Sequence, residues 1–548
     1  MNIRKVTIKN FKCFKDFFEL DLSDGVNIIV GNNEEGKSTI LEAIHLALSG
    51  LYNGRYLRNE LSEYLFNIEA INEFKANPKA PPEILIEIFF SGEGLATYEG
   101  DNNSERKKNT GIIVKIGVYE SDIEAYNEYV KNHEGELNLP IEYFEITWTT
   151  FAREVITTRH LPIKPAFIDS TSAKMQNGSD LYISHIIKTH LETEDKNKLT
   201  QAHRKLQGRF MDEPTVKDIN NKIKELNKEN DLKLSVDLSP KNAWENNLLS
   251  FIKDIPFHFI GKGQQAIIKT KLALEHNKAK EANIILIEEP ENHLSHTKLN
   301  QLINSISEKC ITEENGKQVL ITTHNSFVAN KLGLNNLILL NNKSKLKFTG
   351  LSPDTINYFQ KIAGYDTLRL ILCEAAILCE GPSDELIIQK KYLRQYEKLP
   401  IADGIEVISV GLSFSRYMEI AAALNKRIAI VTDNDNKVKE LEEKYEPYIN
   451  DKHKFLAVFF DRDHNYPTLE PQMIKANGWE NVNKIIDERY KINVQGFKKG
   501  DYKLKNENEL LGFMLVNKTE CALKFFDTKE DLKFPKYIED AIQHLKKK

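Results

Sequence analysis

Two groups of residues in this chain have the types and spacing of reaction chemistry. The first is Gly31-Asn32-Asn33-Glu34-Glu35-Gly36-Lys37-Ser38-Thr39, which fits the phosphate-loop pattern G-x-x-x-x-G-K-[ST] at every fixed position. Glycines let backbone N–H groups turn inward around phosphate oxygens, and a helix N-terminus behind them adds positive potential. Lys37 is placed to reach the terminal phosphates of a nucleotide and Ser38 to hold a magnesium ion, with Asn32, Gly36 and Thr39 in the same cradle. The second group is a set of carboxylates at expected strand ends: Glu380, Asp433 and Asp435. Acids converging at one edge repel each other unless cations lie between them, and hard oxygen ligands favour magnesium or manganese. Two such ions roughly 4 Å apart can activate water and stabilise the leaving oxygen in phosphodiester cleavage.

Buried strands must deliver both groups. Val26 to Val30 reads as a strand ahead of the phosphate loop, and Ile40 to Leu48 as the helix after it. Asn283 to Glu291 is an apolar run ending in two acids, so Glu288 stands on the magnesium side and Glu289 is the candidate base that orients water. Val319 to Ser326 is another buried strand with His324 at its tip. Gly263 and Gln264 open a helical run, Ala266 to Leu274. In the second half Ala375 to Cys379 leads into Glu380, a tight turn, and a helix from about Asp384. Val407 to Gly411 and Arg427 to Asp435 are two further strands. Strands alternating with helices imply a parallel sheet, where function gathers at the carboxyl ends. Each residue alone has a bland reading: a solvated strand end for the acids, a surface histidine, a helix cap. Their order carries the functional one.

At 548 residues the chain has room for two or more domains, and 41% hydrophobic with 28% charged residues suits a globular protein. The formal net charge of −5 gives no global basic signature, so any nucleic-acid contact must be local. Lys498, Lys499, Lys503 and Lys505 around Gly500 are candidates, although such a cluster is usually a solvated face. Five cysteines without C-x-x-C pairing, no signal peptide and no membrane-length apolar run point to the cytoplasm. Ile3 to Phe18 reads as paired strands with aromatic cover from Phe11, Phe14 and Phe17. Ile84 to Phe90 is a strong strand and Gly111 to Tyr119 its neighbour. Between Ser172 and Glu229 charge rises, and Leu181 to Leu191 and Val216 to Leu226 read as amphipathic helices of a self-association arm.

The order of phosphate loop, Gly-rich helix start, acidic strand and strand with His324 resembles the ATP-binding-cassette ATPases of the RecF- and SMC-like repair type. In that class the Gly-rich signature of one subunit caps the nucleotide of the other, which implies a head-to-head dimer. Two positions depart: Ile260 stands where the signature usually has Ser, and Glu288 replaces the usual Asp. Glu380-Gly381 and Asp433-x-Asp435 resemble a Toprim domain; the later Asp461-x-Asp463 falls one strand too late for that order. The whole chain is thereby similar to the overcoming-lysogenization-defect (OLD) family of nucleases, which includes the Gabija nuclease subunit and effectors of some retrons. The resemblance implies that Glu380, Asp384, Asp433, Asp435 and Glu470 are metal ligands or bases, and that Lys518 stabilises phosphate charge. It implies ATP and magnesium or manganese as cofactors, double-stranded DNA as substrate, a homodimer or higher oligomer, and a defence partner such as a helicase or a reverse transcriptase with its non-coding RNA. The expected architecture is α/β, with an ATPase over residues 1–171 and 241–350. A helical dimerisation insert covers 172–240, a linker 351–370 and a Toprim domain 371–548. The rival reading is a RecF-like repair clamp without nuclease activity.

Overall fold

The computed structural model describes residues 1–548 apart from 54, 79, 133–137, 170–192, 227–250, 276–283, 293, 312–316, 342–343, 349, 450–454, 488–503 and 547–548. The chain divides into two compact units, one of Met1–His324 with Leu340–Lys345, the other of Asn325–Leu339 with Leu346–Lys548. No described helix is long and apolar enough to cross a membrane. The expected helix Leu181 to Leu191 and the lysines 498, 499 and 503 lie outside the described residues. Of the expected arm, helices Thr193–Asp212 and Pro214–Leu226 are described.

The first unit holds two sheets. In the antiparallel one, β1 (Asn2–Lys9) lies between β2 (Phe18–Asp21) and β4 (Ile84–Ser91), followed by β5 (Asn109–Val118) and β6 (Phe144–Thr150). In the other, β7 (Pro165–Asp169), β8 (Ile284–Glu288), β9 (Gln318–Thr322) and β3 (Val26–Gly31) run parallel in that spatial order. Every residue of β3, β8 and β9 is buried, which is why they read as unbroken apolar runs rather than alternating ones. Helix α1 (Lys37–Ser49) starts from Gly36 at φ 96° and stops at Gly50, whose N–H bonds the Leu46 carbonyl. Helix α2 (Lys262–Glu275) carries the Gly-rich start.

The N-terminal hairpin differs from expectation in one place. Phe11 and Phe14 are buried, but Phe17 is 48% exposed. Asn10 and Lys12 take left-handed backbone (φ 54° and 48°), so the chain loops before its second strand at Phe18. The loop turns Phe14 inward against Phe18, ring centroids 4.3 Å apart, and leaves Phe17 outside under the Lys9 amine.

In the second unit β10 (Ala375–Cys379) is flanked by β11 (Ile405–Ser409) and β12 (Arg427–Val431), with β13 (Leu456–Phe459) beyond β12, all parallel. Helix α3 (Ser326–Leu332) precedes α4 (Pro353–Lys361), which is capped by the Ser352 hydroxyl. Helices α5 (Pro382–Tyr396), α6 (Phe414–Ala423), α7 (Leu469–Asn477), α8 (Lys518–Asp527) and α9 (Lys536–Lys546) complete the elements around the sheet edge. Ile377, Ile387, Tyr392, Ala429, Met473, Ala522 and Ile542 share one core that fixes α5, α7, α8 and α9 to the sheet.

Candidate active site

In the first unit, parallel register aligns Ile29, Thr322 and Glu288 across three strands, so the phosphate loop, His324 and the acids meet at one carboxyl edge. A Cβ at Gly36 would stand 2.6 Å from Phe14 Cζ and 2.7 Å from Cys13 Sγ. Only glycine fits there, which leaves the loop backbone open for phosphate oxygens. Lys37 is buried and donates Nζ to the carbonyls of Gly31 and Asn32, 2.9 Å each. Burial lowers its pKa, opposed by the carboxylates of Glu289, Glu35, Glu288 and Glu291. Asn32 and Ser38 are exposed at the mouth, and Thr39 is buried beside Cys13. These donors fit a nucleotide triphosphate.

Glu288 is buried at the end of β8. Glu289 follows on left-handed backbone (φ 42°), its N–H on the Thr322 carbonyl. Its Oε2 accepts from Asn292 Nδ2 at 2.7 Å, and its Oε1 is 3.3 Å from His324 Nε2. Burial and the nearby Lys37 ammonium lower the His324 pKa, so the imidazole is neutral at neutral pH and able to shuttle a proton. Glu291 holds this tip in place: its Oε1 accepts from Thr323 Oγ1 and from the His324 N–H, 2.8 Å each. Gly263 and Gln264 lie on the first turn of α2, with Gln264 exposed and its N–H on the Gly261 carbonyl.

In the second unit four of the five expected acids gather. Glu380 leaves β10 and accepts from Thr432 Oγ1 at 2.5 Å and from the Asp433 N–H at 3.1 Å. Asp384 sits in the first turn of α5 and accepts from the Gly381 N–H at 3.0 Å. Glu470, in the first turn of α7, is 5% exposed; it accepts from Thr468 Oγ1 and pairs with Lys518 Nζ at 3.2 Å. Lys518 begins α8. Asp433 leaves β12, and its Oδ1 is buried with no hydrogen-bond partner. Burial first, then Asp384, Glu380 and Glu470, push the Asp433 pKa up to about 8, against a smaller lowering by Lys518. Burial and the charges of Glu380 and Glu470 push Asp384 up to about 6, although the Gly381 amide pulls it down. Asp435 stands apart from this set. It is exposed on left-handed backbone (φ 45°), its N–H on the Pro467 carbonyl.

Among the described residues no three His, Cys, Asp or Glu side chains stand close enough to hold an ion as they are placed. The donor set nevertheless fits a divalent cation. It is all oxygen, one buried carboxylate oxygen has no partner, and the burial and mutual repulsion that raise two pKa values are what a cation offsets.

Three residues outside the motifs shape this edge. Asn434, fully buried between Asp433 and Asp435, donates Nδ2 to the carbonyls of Asp461, Asp463 and Tyr466 and accepts from the Asn436 N–H. Tyr537 donates its hydroxyl to Gln472 Oε1 at 2.8 Å, both side chains buried. The Asp461–Asp463 pair is tied up locally: Asp461 Oδ1 accepts the Asp463 N–H and Asp463 pairs with Lys475 at 2.7 Å.

Residues 1–329 match the family model described as the AAA ATPase domain, and residues 371–435 match the overcoming lysogenization defect protein-like TOPRIM domain. The chain is 24% identical over 566 residues to Endonuclease GajA of Bacillus cereus (strain HuB5-5), covering 87% of this chain and 81% of that protein. It is 29% identical over 196 residues to the DNA replication and repair protein RecF of Clostridium botulinum (strain ATCC 19397 / Type A). That match covers 29% of this chain and 54% of RecF, about half that relative's length. Among solved structures, the C-terminal region of the Burkholderia pseudomallei OLD protein aligns with a TM-score of 0.25 at 18% identity, over 32% of this chain and 97% of that one.

Proposed function

Because the chain belongs to the AAA ATPase domain family over residues 1–329 and carries an OLD-like TOPRIM domain behind it, we propose that it is an ATP-binding, divalent-metal-dependent DNA endonuclease. The observation that carries this reading is the carboxylate set at the parallel sheet edge, half-buried except for the buried Glu470, with Asp433 pushed up to about 8 and Lys518 against Glu470. Glu380, Asp384, Asp433 and Glu470 are the residues to hold magnesium or manganese, with Asp435 at the exposed rim. A divalent ion bound there supplies activation of water and charge neutralisation at the leaving oxygen. The protein's own part is positional. Thr432 and the Asp433 amide orient Glu380, the Gly381 amide orients Asp384, and Thr468 orients Glu470. Lys518 supplies fixed positive charge where a phosphodiester accumulates negative charge. At neutral pH the metal-free site keeps a proton on Asp433, which a cation must displace.

At the other site Lys37, Ser38 and Gly36 bind ATP, Glu288 serves its magnesium, and Glu289 orients water with His324 beside it. Gly263 and Gln264 serve the nucleotide of a second copy, so the protein works as a homodimer or a higher oligomer, with the 172–240 arm in that contact. In this reading 1–171 and 241–350 form the ATPase, 351–370 the linker and 371–548 the nuclease. Nucleotide state gates the cutting of double-stranded DNA. The setting is cytoplasmic antiviral defence, alone or with a helicase or reverse transcriptase partner. The test is a Glu380→Ala variant: a nuclease loses DNA scission and keeps ATP and DNA binding. A RecF-like clamp shows no scission to lose, and that result would put the clamp reading first.

A further inference from the structure

One polar cluster of the second unit has no part in the chemistry above. Just past β11, Gly411 donates its N–H to the Glu380 carbonyl at 3.2 Å, so the residues that follow border the carboxylate edge. There the Tyr358 hydroxyl lies 3.0 Å from the Tyr365 hydroxyl and 2.6 Å from Ser413 Oγ. Arg416, in the first turn of α6, stacks its guanidinium over the Tyr358 ring with Cζ 4.0 Å from the centroid. Its Nε is buried without a hydrogen-bond partner, and no carboxylate pairs with it among the described residues. The acid one helical turn on, Glu419, is committed elsewhere: it accepts from Ser352 Oγ at 3.0 Å and Thr355 Oγ1 at 2.5 Å, capping α4. Beneath the cluster Tyr417 is fully buried and its hydroxyl also lacks a partner.

A buried guanidinium N–H without an acceptor is costly, and an anion that also meets the terminal nitrogens would relieve that cost. Arginine's planar fork matches phosphate oxygens, and the adjoining hydroxyls add neutral donors of the kind that grip a nucleic-acid backbone. A buried acceptor is missing from this socket, and the adjoining edge is one that handles phosphodiesters.

We propose that Arg416, with Tyr358, Tyr365 and Ser413, binds a backbone phosphate of the DNA strand, flanking the phosphodiester presented to the Glu380 edge. This rests on the nuclease reading and deepens it by naming a strand-positioning site. The test uses the full chain carrying Asp433→Asn, so that DNA stays intact, and reads anisotropy of a fluorescein-labelled duplex between about 50 and 200 mM salt. Adding Arg416→Gln is expected to weaken binding about tenfold and to reduce the slope of log K against log salt by about 0.9, one phosphate contact. Arg416→Lys should keep the slope and lose about threefold in affinity, because charge remains and the fork is gone. Tyr365→Phe should cost about threefold at unchanged slope. Arg416→Gln with unaltered affinity and slope, in a parent that binds DNA, overturns the proposal and leaves the nuclease reading standing. If that variant does not fold, Arg416→Lys and Tyr365→Phe decide, and wild-type affinity in both overturns it. A parent that binds no duplex at any salt overturns both.

Discussion

Replacing Asp433 by asparagine should stabilise the metal-free protein in alkali and have far less effect in acid. The folded-state pKa of Asp433 is about 8, against an ordinary 3.8, because of burial and the charges of Asp384, Glu380 and Glu470. Between those two values the folded protein holds a proton that the unfolded chain has released. Stability therefore falls as pH rises through that window, the reverse of a salt-bridged aspartate. At about 1.4 kcal/mol per pH unit the full penalty is up to ~6 kcal/mol, of which about 4 kcal/mol falls between pH 5 and pH 8.5. Asparagine keeps the shape and carries no charge, so it escapes the penalty. For a unit of this size, at roughly 2–4 °C per kcal/mol, the variant should melt about 10 °C above wild type near pH 8.5 in EDTA. Near pH 5 the difference should shrink to about 2 kcal/mol, or about 5 °C, and it should vanish below the unfolded pKa of 3.8. Millimolar manganese should raise the wild-type melting temperature near pH 8.5 and not the variant's. Scanning calorimetry or dye-based melting reads all of these. An Asp433→Asn protein no more stable than wild type in alkaline EDTA, or equally stabilised near pH 5, refutes the claim that burial and repulsion frustrate this carboxylate.

Asn434→Ala removes four hydrogen bonds from a fully buried amide. It should cost about 2–4 kcal/mol in urea unfolding and abolish cleavage by freeing the turn between Asp433 and Asp435. Gly36→Ala places a methyl 2.6 Å from Phe14 Cζ on backbone at φ +96°. It should destabilise the first unit by about 2–3 kcal/mol and eliminate ATP binding in calorimetric titration. Lys518→Met should lower the cleavage rate by about 10²–10³-fold while DNA affinity changes little, with Lys518→Arg recovering part of the loss.

The phosphate loop was legible because its glycines and lysine are fixed in local sequence and sit between a strand and a helix that apolar patterning announces. The carboxylate edge was legible in the same way, since Glu380 and Asp433 each end an unbroken apolar run. Asn434 was hidden by that pattern, which treats the residue between the two aspartates as filler. Its importance comes from carbonyls about 30 residues downstream that only the fold brings near. Glu291, Gln472 and Tyr537 are hidden likewise, Glu291 through two hydrogen bonds from the tip of the neighbouring strand and the other two through one buried long-range bond. Asp435 looked equivalent to Asp433, yet the left-handed turn sends it to solvent. Phe17 is exposed for a similar reason, because the left-handed residues Asn10 and Lys12 break the alternation that a continuous strand would have.

If this carboxylate edge cuts DNA with a divalent cation, Asp433 and the ion must both be required. Plasmid and linear DNA are incubated with purified wild type and Asp433→Ala, in magnesium, manganese or EDTA, each with no nucleotide, ATP or a non-hydrolysable analogue. Wild type should cut only with metal, Asp433→Ala should not cut, and the extent of cutting should change between the nucleotide lanes. Scission that persists in Asp433→Ala, or in EDTA, rules out a metal-dependent cut at this edge.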